Sequence, residues 1–320
     1  MERSSIGEYR IVERVSTGSP PCMHFFATRQ DDPGEVPEYF VKALAVGTEQ
    51  PEHEALRAQF DHEIQLMSGL NHPNVPSLHA EGDEDGLRYY VTDRVFGVDL
   101  AELMGHRTNT PRALGAEIAV YLLAQVANAL VALHGLEALG ADDKPELLDI
   151  LHRDICPANI LLSTEGDVLL TDFGTASSRW LSLSHTVRDA GARAYMAPER
   201  VIAGGAASVQ TDLFALAVIL WEMLRGERCL RGVDDLRTME NIARFDISNA
   251  QNRITGLSPR LSEVLRRNLD KDPARRFPTS HHVLSRLSQA TESSQAARAR
   301  VELGALVAAQ LQQPPSTQGA

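Results

Sequence analysis

Residues 150–176, ILHRDICPANILLSTEGDVLLTDFGTA, concentrate the side chains that do chemistry. His152-Arg153-Asp154 is followed five residues later by Asn159, and thirteen residues after that by Asp172-Phe173-Gly174. Phosphoryl transfer needs such a set: one carboxylate to orient the attacking hydroxyl, plus an amide and a carboxylate converging on Mg²⁺. Hard oxygen donors suit Mg²⁺, which keeps several waters and takes few protein ligands. On this reading Asp154 orients the hydroxyl, and Asn159 and Asp172 hold the metal. The eleven histidines show no metal-ligand spacing, and Cys22, Cys156 and Cys229 show no C-x-x-C. We therefore expect neither a zinc site nor a disulfide framework.

The elements that must position these residues fall into two regions. Short apolar runs at 9–15, 23–28 and 38–45, separated by turns with Gly and Pro, predict strands. Leu56, Phe60, Ile64 and Met67 recur at helical steps and predict one amphipathic helix over 52–70. Asn71-His72-Pro73 ends it, because the residue before proline avoids helical geometry. Strand-like runs follow at 75–79 and 87–95. Beyond Gly97 long helical patterns appear at 115–134, 211–225, 258–269 and 280–290, with one strand-like passage over 159–171. Residues 135–148 are acidic and read as a surface insertion. Residues 291–320 begin helix-friendly, with apolar Val301, Leu303, Leu306, Val307 and Leu311, and end as a disordered tail. The helical part is expected to pack back onto the domain or onto a partner.

The chain has 320 residues, 43% hydrophobic and 23% charged, which suits a globular protein able to bury a core. Its 31 Lys+Arg against 43 Asp+Glu give a net charge of −12, which argues against a protein whose main work is gripping nucleic acid. We find neither a basic-then-apolar leader nor a run of about 18 apolar residues, and expect a cytoplasmic protein with no membrane span.

With the catalytic-loop residues at this spacing, the chain resembles the eukaryotic-type (Hanks-type) protein kinases, particularly the bacterial Ser/Thr members. The resemblance covers roughly residues 9–290. It implies a two-lobed α+β protein kinase fold, with a small β-rich N-lobe over about 9–95 and a mainly helical C-lobe over about 98–290. It also implies ATP and Mg²⁺ as cofactors. Tyr39-Phe40-Val41-Lys42 resembles the strand whose lysine holds the nucleotide's α- and β-phosphates, and Glu63 stands where the family supplies that lysine's ion-pair partner. Residues 90–97 resemble the hinge, where backbone groups near Asp93 and Val95 would bond adenine and Thr92 would guard the pocket behind. Gly18 and Leu161 join the nucleotide-binding set by the same resemblance. Tyr195-Met-Ala-Pro-Glu199 resembles the end of the activation segment, and Glu199 with Arg276 is implied to form a buried ion pair. Asp212 is implied to anchor the catalytic loop. Ser182, Ser184 and Thr186 are candidate phosphorylation sites that would pair with Arg153.

The pattern departs around the nucleotide. The phosphate-covering loop, residues 16–23, keeps only Gly18 of three glycines, and Pro21 has no N–H to offer. Phe40 replaces a small residue two places before Lys42, and side chains two apart on a strand share a face. Cys156 replaces a lysine, and Ala192 replaces a threonine, both markers of Ser/Thr kinases. Carboxylates near Cys156 are expected to oppose its ionisation. The intact set Lys42, Glu63, Asp154, Asn159 and Asp172 makes a Ser/Thr protein kinase acting on protein hydroxyls the leading reading. The alternative is a pseudokinase that signals by binding a partner, its nucleotide cleft filled by Phe40 and Met23. A third reading, phosphorylation of a small molecule, fits the activation segment less well. Substrate and oligomeric state stay open.

Overall fold

The computed structural model describes residues 4–15, 21–31, 34, 36–45, 51–139, 142–176, 190–202, 205–247, 253–254 and 256–312. Chain contacts divide the protein into two compact units, residues 1–95 and 96–320.

The first unit is an antiparallel six-stranded sheet with one helix. Its strands are β1 (Ser5–Ile6), β2 (Tyr9–Val15), β3 (Cys22–Arg29), β4 (Tyr39–Ala45), β5 (Leu78–Glu84) and β6 (Leu87–Asp93), in the order β1-β2-β3-β4-β6-β5. Residues of alternating strand positions, Ile6, Tyr9, Ala27, Val41, Ala43, Leu87, Tyr89 and Val91, form a buried cluster. The opposite face is set by the pairing register. Lys42 lies across from His24 and Tyr90, and Phe40 across from Phe26 and Thr92. Helix α1 (Pro51–Gly69) buries Phe60, Ile64, Leu66 and Met67, whereas Leu56 stands 37% exposed. Glu63 also lies in the buried stripe, 1% exposed. A carboxylate in that position needs a partner, since an unpaired buried charge is costly. The strand expected from Val75 starts only at Leu78, because the Val75 amide turns back to the His72 carbonyl at 3.0 Å.

The second unit is mainly helical. After the short β7 (Gly97–Asp99) and α2 (Leu100–Leu103) come α3 (Ala116–His134), α4 (Ala190–Arg193), α5 (Pro198–Ile202), α6 (Val209–Arg225), α7 (Asp235–Arg244), α8 (Pro259–Asn268), α9 (Ser280–Gln289) and α10 (Ser293–Leu311). Helix α6 is buried on every side from Thr211 to Met223, with its two carboxylates, Asp212 and Glu222, held by hydrogen bonds. Gly226 stops it with φ +64°, a left-handed conformation that costs glycine little. By length and composition α3 is apolar enough to cross a membrane. In this fold 61% of its most apolar window is buried in the protein, with α9 and α10 packed on it.

Within the expected insertion, β8 (Glu137–Leu139) and β9 (Pro145–Leu147) form an exposed ribbon. The loop from His152 to Asn159 continues into a hairpin of β10 (Ile160–Ser163) and β11 (Val168–Leu170), with β7 on the other edge of β10. The C-terminal helical pattern is α10, which packs onto its own domain and buries Ala299, Leu303, Gly304 and Val307. Of its other apolar residues, Val301 and Leu311 are 73% and 50% exposed. The expected tail beyond it, 313–320, lies outside the described residues.

Candidate active site

In the first unit, strand β4 and helix α1 bring Lys42 to Glu63. The Lys42 Nζ donates to both carboxylate oxygens at 2.9 Å. Their side chains are 13% and 1% exposed, so the pair is well shielded from solvent. Tyr90, opposite Lys42 on β6, donates its hydroxyl to Glu63 Oε1 at 2.9 Å. The Tyr90 ring packs on Phe60 with centroids 5.4 Å apart, and the Lys42 Nζ lies 5.8 Å from the Tyr90 ring centroid. The sequence reading missed Tyr90. The only available signal was its position across the sheet from Lys42, which the sequence does not display.

Phe40 shares its face with His24, ring centroids 5.2 Å apart, and with Phe26 at 6.2 Å. Met23 is not its companion. Its register partner is Ala43, and it packs against the Tyr9–Val41 cluster on the other side of the sheet. This corrects the expectation of a Phe40–Met23 pair.

At the end of β6, Thr92 is buried and Asp93 half-buried. The Asp93 carboxylate accepts from the Ser77 amide at 3.0 Å and bonds His79 Nε2 at 2.6 Å. Burial works to raise this carboxyl, but those hydrogen bonds outweigh it and hold the group below the usual aspartate range. The Asp93 amide donates to Ser77 O at 3.2 Å and the Arg94 amide to Glu38 O at 2.8 Å. Val95, half-buried, follows them. Gly18 lies outside the described residues, as do Ser182, Ser184 and Thr186.

In the second unit the loop from His152 to Asn159 is tied to α6 through Asp212, whose side chain is 2% exposed. Its carboxylate accepts from the backbone amides of His152 and Arg153, both at 2.9 Å, and meets His134 Nε2 at 3.0 Å. Burial works to raise Asp212, but the hydrogen bond and charge of His134 prevail and hold it low. His152 is fully buried, which pulls its imidazole down toward the neutral form. Its Nδ1 accepts from the Asp154 amide at 3.3 Å, so Nε2 carries the proton and donates to Thr171 O at 3.1 Å. Asn159 Nδ2 donates to the Asp154 carbonyl at 2.9 Å and to Asp154 Oδ2 at 3.1 Å. The Thr171 amide returns to Asn159 O at 2.9 Å, which places Asp172 immediately beyond. Arg153 and Asp172 adopt φ of +67° and +63°, a conformation that non-glycine residues enter at a cost and keep where surroundings enforce it.

Leu161, half-buried on β10, pairs with Leu169 and Asp99. Cys156 is 5% exposed, and burial together with Asp154 pushes its thiol up, so it is no thiolate nucleophile. Ala192 lies in α4, and its carbonyl accepts from the Tyr195 amide. Arg276, fully buried, donates to the two Glu199 oxygens at 2.7 Å each and to Gln210 O at 2.9 Å. A second buried network escaped the sequence reading. Tyr195 donates to Glu222 at 2.6 Å, the Cys229 amide donates to it at 2.8 Å, and Arg228 does so at 3.2 Å.

These features define the protein's class. A family described as "Protein kinase domain" matches residues 34–287, and the chain belongs to that family. Its β-rich unit and mainly helical unit are the lobes of the two-lobed protein kinase fold. Among relatives, the serine/threonine-protein kinase PrkC of Bacillus subtilis is 28% identical over 223 residues, 69% of this chain and 32% of its own length. A probable serine/threonine-protein kinase of Clostridium perfringens is 27% identical over 251 residues, 78% of this chain and 34% of its own. Serine/threonine-protein kinase PknE of Mycobacterium tuberculosis is 32% identical over 227 residues, 70% of this chain and 36% of its own. The chain thus spans about a third of the length of these curated relatives.

Proposed function

We propose that the protein is a serine/threonine protein kinase that transfers the γ-phosphoryl group of ATP to a protein hydroxyl. The observation that carries this reading is the catalytic loop. Asp154 is held by Asn159 and by a backbone fastened to Asp212, an arrangement that orients a carboxylate rather than merely burying it. Asp154 accepts the proton of the attacking hydroxyl. The donor set fits Mg²⁺: with Asn159 Nδ2 committed to Asp154, Oδ1 is its atom suited to a cation, and Asp172 adds a carboxylate. Bound Mg²⁺ neutralises charge on the nucleotide's phosphates. Lys42, fixed by Glu63, presents its ammonium to the α- and β-phosphates. Asp93, Val95, Leu161 and Gly18 contact the nucleotide, and residues 9–290 form the kinase domain, with lobes over about 9–95 and 98–290.

The test is to incubate the protein with Mg²⁺, ATP and dephosphorylated casein and map the products by mass spectrometry. Phosphoserine or phosphothreonine, with ADP released in proportion, supports the assignment. ADP and inorganic phosphate without labelled protein mean transfer to water, and absence of both ADP and labelled protein contradicts the assignment.

A further inference from the structure

Helix α10 begins beyond the last residue matched by the family, and the reading above gives it no task. It lies against β7 and β10, and β10 forms with β11 a hairpin whose three register pairs run from Ile160↔Leu170 to Leu162↔Val168. At the open end of that hairpin stand Asn159 and Asp172. At its closed end is the turn 164–167, and there the helix backbone makes direct contact. A Cβ on Gly304 would lie 2.5 Å from Thr164 O, and one on Gly166, where φ is +78°, would lie 2.1 Å from Arg300 O. Such distances leave no room for a side chain at either position.

Polar contacts fasten the same turn. Arg300 Nη2 bonds Asp167 Oδ1 at 2.6 Å, and its Nε donates to Glu165 O at 3.2 Å. From α3, the Tyr121 hydroxyl donates to Gly166 O at 2.9 Å. Inside the turn, Ser163 Oγ accepts from the Asp167 amide at 2.9 Å and donates to Asp167 Oδ2 at 3.0 Å. The apolar anchors Ala299, Leu303 and Val307, all fully buried, hold the helix in place. The hairpin is short, with β7 pairing the outer edge of β10 and α3 lying against β11, and the α10 contacts add a further grip at its turn.

We infer that α10 is a clamp on the closed end of the β10–β11 hairpin, and that Arg300 and Gly304 are positioning residues for the Asn159–Asp172 pair at its open end. The inference rests on the reading of that pair as the metal-holding residues. The Thr171 amide, bonded to Asn159 O, reports on the open end without any need for catalysis.

The experiment uses the full chain and two variants. Gly304→Ala drives a methyl into Thr164 O, and Arg300→Gln releases the turn while leaving the helix backbone intact. Hydrogen exchange is followed at Thr171, with α6 amides as the internal reference, and ATP binding is titrated with Mg²⁺. In each folded variant we expect Thr171 to exchange about fivefold faster and the Mg²⁺ needed for half-maximal binding to rise about fivefold, with α6 unchanged. If Gly304→Ala does not fold, Arg300→Gln carries the test. Thr171 exchange equal to wild type, or faster exchange with unchanged Mg²⁺ dependence, overturns the clamp. If wild type shows no Mg²⁺-dependent ATP binding, the proposed function fails, and Thr171 exchange alone decides whether the helix governs the open end.

Discussion

The Tyr90 hydroxyl offers the sharpest quantitative test of how the lysine–glutamate pair is held. Tyr90→Phe removes one donor from a carboxylate that is 1% exposed and that also receives two bonds from Lys42. The ring survives, so its contact with Phe60 at 5.4 Å and its place under Lys42 are kept. A hydrogen bond to a charged acceptor contributes about 1.5–3 kcal/mol, and removing one partner in a buried site incurs most of that loss. We therefore expect Tyr90→Phe to lower unfolding free energy by about 2 kcal/mol in urea denaturation, with an unchanged m-value. The same substitution on a Glu63→Gln background should cost about half as much, because the acceptor is then neutral. A loss below about 0.5 kcal/mol, or an equal loss on both backgrounds, would refute the argument that this bond serves the buried charge.

His106 is buried with its Nε2 3.7 Å from Glu222 Oε2, and desolvation first, then the positive charge of Arg228, pushes its imidazole down to about 3. Unfolded histidine titrates near 6.5, so the unfolded chain takes up the proton first and stability is lost as pH falls from 6.5 toward 3. Between pH 6.5 and 5 this group should cost about 1.5 kcal/mol, and His106→Asn should flatten the stability–pH curve by that amount. A parallel curve would show that His106 does not titrate this way. Arg276→Leu strands Glu199 without its partner and should destabilise by about 3–5 kcal/mol, with part recovered in Arg276→Leu/Glu199→Leu. No recovery in the double variant would mean that packing, not the pair, sets the loss. Phe40 shares the face of Lys42, so Phe40→Ala should show a larger Mg²⁺·ATP-induced rise in Tm than wild type at equal nucleotide. An equal or smaller increment would place the phenyl ring out of the nucleotide's way.

What the sequence displayed and what it hid follow from how each residue is positioned. Asp154, Asn159 and Asp172 were legible because one loop and one hairpin hold all three, so spacing along the chain carries their geometry. Lys42 and Glu63 are 21 residues apart on different elements. Only the family pattern linked them, although a glutamate in the apolar stripe of α1 was a physical hint. Tyr90 was missed and Met23 misplaced for one reason: strand register decides the face, and the sequence does not display it. With β3 starting at Cys22, His24 and Phe26 join Phe40, and Met23 goes to the core side.

Helix α7 passed unnoticed because Leu236 and Met239, its larger apolar residues, are 69% and 39% exposed, while the buried positions are Thr238 and Ile242. Its actual start signal was Asp234, which accepts from the Arg237 amide at 2.7 Å. For α10 the apolar residues announced a helix. The close approach through Gly166 and Gly304 depends on backbone contacts between segments more than 130 residues apart.

The central claim is that Asp154 performs proton transfer in a kinase reaction, and the most direct measurement compares phosphotransfer rates of wild type and Asp154→Asn at saturating Mg²⁺·ATP. Asparagine keeps the size and a hydrogen-bonding oxygen for Asn159 but cannot take the hydroxyl proton. The account predicts a fall in kcat of about 10²–10⁴-fold with nucleotide affinity nearly unchanged. Equal rates in the two proteins, or no phosphotransfer by wild type despite tight nucleotide binding, would contradict it.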